Sequence, residues 1–169
     1  MNDTYCEMII KRKMTSGGLL ARFFAIVATT LVILLGLLVL GVYGLIAGFF
    51  LVWLDMVIFR NTDVEYEYQY ISGDLDIDVI YGRTKRKRAR KFDMRKIEVL
   101  APINSDKIKS IQGNRHVKVC DYSSGYTDRK KYAFITTMEE GEIIKVVFEP
   151  TEAMVNAIKF VAPSKVHMY

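Results

Sequence analysis

Two hydrophobic patterns divide the chain. From Phe23 to Leu54 no side chain is charged, a run of 32 residues, whereas from Val64 to Tyr81 apolar and polar residues alternate almost one by one. A helix crosses a hydrocarbon core of about 30 Å with about 20 residues, so the uncharged run exceeds one straight crossing and divides into two. Gly41 and Gly44, flanking Val42 and Tyr43 near its middle, supply the backbone freedom of a tight helix-to-helix turn. The pattern predicts transmembrane helices over about 19–40 and 45–59. Measured from that turn, Arg22 and Arg60 stand at similar depths, where both can snorkel into one headgroup layer. Gly44 and Gly48 also form a pair of small residues that lets helices approach, although a role for Gly44 in the turn competes with it.

In the alternating part, Val64, Tyr66, Tyr68 and Tyr70 are interleaved with Glu65, Glu67 and Gln69; Leu75, Ile77, Val79 and Tyr81 are interleaved with Asp76, Asp78 and Ile80. These read as two strands joined by a turn at Ser72, Gly73 and Asp74. Further strands are expected over 85–92, 97–100, 116–122, 132–138 and 143–149, with turns at Gly82, at 123–125 and at Glu140 with Gly141. The period then changes: Met154, Val155, Ile158, Val161 and Ala162 share a helical face that Thr151 caps and Pro163 ends. The fold expected is an α+β membrane protein, in which an N-terminal transmembrane helical hairpin precedes an antiparallel β domain of about seven strands closed by a C-terminal helix. By segment, 1–18 is a cytoplasmic N-terminal stretch, 19–60 the two helices, 62–163 the β domain and 164–169 a tail. Residues 5–14 mix Tyr5, Met8, Ile9 and Ile10 with Lys11, Arg12 and Lys13, which suits an interfacial helix or a strand added to the sheet.

Charge sets the topology. Lys11, Arg12, Lys13 and Arg22 precede the apolar run, Arg60 follows it, and the turn between the helices is neutral. Basic flanks mark the cytoplasmic side, so both termini are expected in the cytoplasm of a multi-pass protein of the bacterial cell membrane. A cleaved signal peptide is not expected, because a second apolar stretch follows the first without a small-residue cleavage pattern. The chain is net +5; its part from Arg60 onward holds 20 Lys and Arg against 16 Asp and Glu, a mildly basic balance that by itself identifies no partner.

The chemistry-bearing residues are sparse. Cys6 and Cys120, far apart and both on the reducing side, predict no disulfide and no metal pair. His116 and His167 have no companion at a metal-ligand spacing, and glycine-rich phosphate loops, nucleophile elbows and His-Glu-x-x-His helices are missing from the sequence. No catalytic residue, metal or cofactor is expected, and the protein reads as non-enzymatic. Asp55 is the one acid within the second span, a position that by default suggests ion or substrate handling. It also lies about one turn from Arg60, where hydration or pairing with that arginine is the simpler outcome.

Arg83, Lys85, Arg86, Lys87, Arg88, Arg90 and Lys91 place seven cations within nine positions. Such a run commonly forms a solvated edge strand, protected by its charge against pairing with other chains. Geometry offers another use. If the first strand rises from Asp63 for about eight residues at roughly 3.3 Å each, the second returns and brings Gly82, Arg83 and Lys85 beside Arg60. Basic residues close to an anionic leaflet contribute about 1 kcal/mol each, so Arg60, Arg83, Lys85, Arg86, Lys87, Arg88, Arg90 and Lys91 form a candidate lipid-headgroup set. Nucleic acid is not an expected partner, since no recognition helix or aromatic stacking motif accompanies the run.

Glu65-Tyr66-Glu67-Tyr68, Leu75-Asp76-Ile77-Asp78, the basic run through Arg90, Ala101-Pro102-Ile103-Asn104-Ser105, Asp121-Tyr122-Ser123-Ser124-Gly125, Phe148-Glu149-Pro150 and Ala162-Pro163 together resemble a family of small bacterial two-span membrane proteins grouped as a domain of unknown function. The soluble part is more loosely similar to bacterial pleckstrin-homology-like (PH-like) domains. The resemblance implies that fold and no activity. Against the lipid-binding PH-like domains with a basic first loop, the turn Ser72-Gly73-Asp74 is short and acidic and the sole tryptophan, Trp53, lies in a span, which favours nonspecific anionic contact over a phosphoinositide pocket. Three functions follow as expectations. The first is a membrane-anchored interaction or scaffolding module that binds a protein partner or a second copy of itself. The others are an anionic-lipid-reading domain using 83–91, and a small transporter or channel subunit using Asp55.

Overall fold

The computed structural model describes residues 5–113, 116–138 and 141–168. It divides into two compact units: one comprises Met1–Arg12, Tyr66–Val79 and Lys87–Tyr169, the other Lys13–Glu65 and Ile80–Arg86.

The second unit is built on two helices, α1 (Ser16–Leu40) and α2 (Tyr43–Thr62). Both are long and apolar enough to cross a membrane, at about 38 Å and 30 Å for a 1.5 Å rise per residue. Two residues turn the chain between them: Gly41 adopts φ 58°, open to glycine at little cost, and its carbonyl accepts the Gly44 N–H at 3.1 Å. Gly44 is therefore the second residue of α2 rather than part of the turn, and the close-approach role prevails. A Cβ on Gly44 would stand 2.4 Å from the Gly36 carbonyl carbon, and one on Gly48 would stand 2.6 Å from Ile33 Cγ1. Backbone lies on backbone here, as small residues at helix crossings permit.

The first unit is the β domain. Strands β1 (Tyr5–Lys11), β2 (Val64–Ile71), β3 (Asp74–Tyr81) and β4 (Lys85–Asp93) form one sheet in that order. The other sheet runs β5 (Val99–Pro102), β7 (Tyr132–Thr137), β8 (Ile143–Phe148) and β6 (Lys118–Asp121). The chain thus has eight strands among its described residues, one more than the seven read from sequence. The addition is β1, which resolves the ambiguity of residues 5–14 in favour of a strand, with Ile10 buried and Tyr5 and Ile9 exposed. Pairing is antiparallel at β5–β7 and β7–β8, but β6 pairs parallel with β8, Lys118 opposite Ile144. An antiparallel domain is therefore correct for most of the ladder and not for β6, which reaches its neighbour through a long connection instead of a hairpin.

The sheets meet through Tyr68 on Phe148 and Phe92 on Phe134, and Phe134 on Phe148 links these pairs within the second sheet, all edge to face at centroid distances of 5.1–5.8 Å. Tyr66, Tyr68, Tyr70, Leu75 and Ile77 supply the inner face of the first sheet, as alternation predicts. Glu67 departs from that pattern: it is buried although it points away from the tyrosines, and Gln69 donates to it at 3.1 Å. The reason is that β2 is an interior strand, flanked by β1 and β3.

The second sheet is buried on both faces. Val99, Ala101, Ala133, Ile135 and Val147 turn away from the aromatic core and pack with Ile108 and Ile111 of α3 (Asp106–Gln112), a short helix that alternation does not announce. Its signal is the Ser105 cap, whose hydroxyl accepts the Lys107 N–H at 3.3 Å. The last helix, α4 (Glu152–Val161), is capped by Thr151; Met154, Val155 and Ile158 of the expected face are buried, as is Ala162 just beyond it, while Val161 is only half-buried and Ala157, outside that face, is buried too. Beyond it, Val166 bridges Leu100 of β5 in parallel, with N–H bonds of 2.8 Å in both directions between 100 and the 165–167 segment. Of the predicted turns, Glu140 lies outside the described residues.

Candidate functional site: the basic strand and the foot of α2

The run of cations is β4 together with the turn before it. That turn, Gly82 to Thr84, has both Gly82 (φ 54°) and Arg83 (φ 58°) left-handed and is closed by the Thr84 N–H donating to the Tyr81 carbonyl at 3.2 Å, the geometry that matches the twist of paired strands. Along β4 the alternation separates the cations by type. Lys85, Lys87 and Lys91 share one face with Ala89, while Arg86, Arg88 and Arg90 share the face of buried Phe92. This K-R-K-R-A-R-K pattern is visible in the sequence, but its meaning depends on which face is which.

On the lysine face, Lys91 Nζ lies 2.8 Å from Asp74, a contact that holds its pKa above the ordinary lysine value. Arg95 adds a bond to the same aspartate at 3.2 Å, and its 2.7 Å bond to Asp93 holds that carboxyl below its usual range. Arg90 is half-buried and lines a cleft of about 630 Å³ with Lys91, Phe92, Lys96 and the acids Asp74, Asp93 and Glu142. Lys85, Arg86, Lys87 and Arg88 are exposed. The predicted eight-residue set is thus not uniform: Lys91 is committed to Asp74, and Arg83 donates to Glu65 at 3.1 Å.

The turn sits at the foot of α2. Gly82 donates its N–H to the Asp63 carbonyl at 2.7 Å, and a Cβ on Gly82 would come within 2.3 Å of Arg60 Cγ, so only glycine fits here without displacing that arginine. Arg22 reaches the same end of α2, donating to Thr62 Oγ1 at 2.6 Å and to the Phe59 carbonyl at 2.8 Å, with its guanidinium 5.2 Å above the Phe59 ring. Arg22 therefore satisfies a carbonyl at the end of α2, a role that appears only once the helices are paired.

Asp55 is half-buried, and it makes no ion pair with Arg60. Five residues along a helix turn a side chain by about 140°, so of the two outcomes expected, hydration or pairing, the pairing does not form. Asp55 instead continues the stripe of α2 that begins with Gly44 and Gly48, at the spacing of one helical face.

A second polar cluster lies inside the β domain. The Glu149 carboxylate is buried and accepts both the Ser124 N–H (3.0 Å) and the Ser124 hydroxyl (2.8 Å), with Arg129 3.7 Å away. Tyr68 donates to the Tyr122 carbonyl at 2.6 Å and accepts the Glu149 N–H at 3.4 Å. Two of the stretches that carry the family resemblance, 121–125 and 148–150, meet at this point. Their role is to join the sheets.

Burial pushes the Tyr68 hydroxyl far above the ordinary phenol range, against a smaller opposing effect of the Glu149 N–H bond; burial also raises Tyr70 and Tyr122. The folded state holds these protons more tightly than the unfolded chain does. Their stabilisation is full below the ordinary phenol value of about 10 and declines as pH rises through it, by up to about 1.4 kcal/mol per pH unit for each tyrosine. Denaturant unfolding of the full-length protein between about pH 9 and 11 should show that decline, and Tyr68→Phe should flatten it. An equally steep decline in the variant would contradict the assignment.

Among the described residues, no group of three His, Cys, Asp or Glu side chains is placed to hold a metal ion, and Cys6 and Cys120 are free, half-buried thiols. A family profile described as Bacterial PH-like domain (DUF6106) matches residues 2–168. No curated protein and no solved structure matches the chain significantly.

Proposed function

The chain belongs to the family of bacterial PH-like domains, and from that premise we propose that it is a membrane-anchored, non-enzymatic interaction module that holds an acidic protein segment at the cytoplasmic face of the bacterial cell membrane. The observation that carries this reading is β4. It is an edge strand, so its outer backbone groups are available to an added strand, and it bears four consecutive exposed cations, Lys85 to Arg88. An edge of this kind accepts an extended acidic peptide through main-chain hydrogen bonds and charge complementarity. The PH-like fold is of a non-enzymatic type, which agrees with a binding role.

The test is affinity capture with the full-length protein in mild detergent, beside a variant carrying glutamine at Lys85, Arg86, Lys87 and Arg88. A captured acidic protein that is lost in the variant and weakened by salt supports the module; an identical captured set from both proteins overturns it. Topology has its own check. Cys6 and Cys120 should resist an impermeant thiol reagent in intact cells and react after permeabilisation and denaturation, whereas labelling from outside would reverse the orientation.

A second reading, contact with anionic lipid, is favoured by the close seating of Gly82 on Arg60 at the end of a helix of spanning length.

A further inference from the structure

We propose that the cleft at the foot of α2 is a binding site for a single phospholipid, with the phosphate on Arg60 and Thr84 and an acyl chain lying along Trp53, Met56 and Val57. The proposal rests on the reading of α1 and α2 as membrane spans.

Acyl chains contact the apolar faces of any span, so a lipid site needs something more than exposed apolar residues. Here three features converge. Trp53, Met56, Val57 and Arg60 fall at i, i+3, i+4 and i+7 and line one face of α2, apolar over its first turn and cationic at its end. That face descends about 10 Å at 1.5 Å per residue, in the direction in which a lipid passes from acyl chain to phosphate. Trp53 and Met56 are 61 % and 65 % exposed, so no neighbouring side chain occupies the groove they border.

Second, the groove is closed at one end by protein. The Gly82–Thr84 turn is tied to α2 by the Gly82 N–H to Asp63 carbonyl bond, and Gly82 lies flush on the Arg60 stem. The result is a cleft of about 570 Å³, within the range of sites that hold small ligands. Thr84, whose hydroxyl lies 3.5 Å from the Tyr81 carbonyl, lines the same cleft as Arg60, and an arginine with a hydroxyl suits a phosphate oxygen pair. Arg22 also borders the cleft, but two of its donors already serve Thr62 and Phe59, so it contributes field more than bonds.

Third, the rim includes an acid. Asp63 also lines the cleft, and like charges repel. A headgroup with one negative charge, a phosphodiester, is accommodated, whereas a phosphomonoester or a multiply phosphorylated headgroup is disfavoured. The site therefore selects ordinary membrane phospholipid.

The test uses full-length protein in mild detergent and native mass spectrometry. Phosphatidylglycerol, a diacylglycerol with the same chains, phosphatidic acid and water-soluble glycerol phosphate serve as probes. The expected order is phosphatidylglycerol tightest, with diacylglycerol and glycerol phosphate each at least about tenfold weaker and phosphatidic acid intermediate. Arg60→Gln should lose about tenfold for phosphatidylglycerol with no change for diacylglycerol, Arg60→Lys should recover part of it, and Thr84→Val should weaken it independently. Equal retention of phosphatidylglycerol and diacylglycerol, or unchanged affinity in both Arg60→Gln and Thr84→Val, overturns the site. The span reading fails separately: protein released from membranes by alkaline carbonate would sink it, whereas protein that stays in the membrane without a phosphatidylglycerol preference sinks the lipid site alone.

Discussion

Gly44→Ala should separate α1 from α2 at their turn and destabilise the helical hairpin by about 1–3 kcal/mol, the usual cost of forcing a methyl group into a filled contact. The new Cβ would meet three backbone atoms, the Gly36 carbonyl carbon at 2.4 Å, its oxygen at 2.6 Å and the Leu37 nitrogen at 2.8 Å. None of these can swing aside as the end of a flexible side chain can. Other glycines of the pair set the scale. Gly36→Ala faces its nearest atom, the Gly44 Cα, at 3.1 Å and should cost less, while Gly17→Ala meets nothing within 4 Å and should be neutral or gain from the higher helix propensity of alanine. Thermal or denaturant unfolding of the full-length protein in detergent, followed by helical circular dichroism, measures the series. If Gly44→Ala proves as harmless as Gly17→Ala, the close packing of the two backbones is wrong.

Loss of the Glu149 carboxylate should weaken the β domain by about 3 kcal/mol, because hydrogen bonds to a charged group contribute more than neutral ones and their removal leaves buried partners unpaired. In Glu149→Ala the Ser124 N–H and hydroxyl lose their acceptor inside the domain, and Arg129 loses its ion-pair partner. Glu149→Gln keeps an acceptor oxygen for Ser124 and sheds only the charge beside half-exposed Arg129, so its loss should be smaller. The two variants together separate the acceptor from the charge. Near-UV circular dichroism of the full-length protein during denaturant unfolding reports the domain's aromatic core directly. A Glu149→Ala protein within about 0.5 kcal/mol of the parent would show that the cluster does not join the sheets.

Both results bear on function through rigidity. The close glycine contact and the Arg22 bonds to Phe59 and Thr62 fix the two helices together, and the Gly82 bond to Asp63 fixes the basic turn at their end. The proposed headgroup cleft at Arg60 and Thr84 depends on that geometry, since a phosphate is held well only where its donors are already in place.

Much of this was legible in the sequence. The absence of charge over 23–54 determined two apolar helices long enough to span a membrane, and alternation determined β2 and β3 together with the inward tyrosines. The period change at 151 determined α4 with its Thr151 cap. These are local properties: each is carried by residues within one element and follows from the period of a helix or a strand. Pairing is not local, and only the tertiary structure decided it. It made β1 a strand by giving it β2 as a neighbour, turned β6 parallel, buried Glu67 inside a sheet and committed Lys91 to Asp74. It also moved Gly44 from the turn into the helix contact, where the backbone of Gly36, eight residues earlier in the chain, comes to meet it. The foot of α2 shows the same division: the sequence alone placed Arg60 and the basic turn at comparable depth by strand arithmetic, but their contact exists because Gly82, nineteen residues beyond Asp63, donates its N–H to that residue's carbonyl.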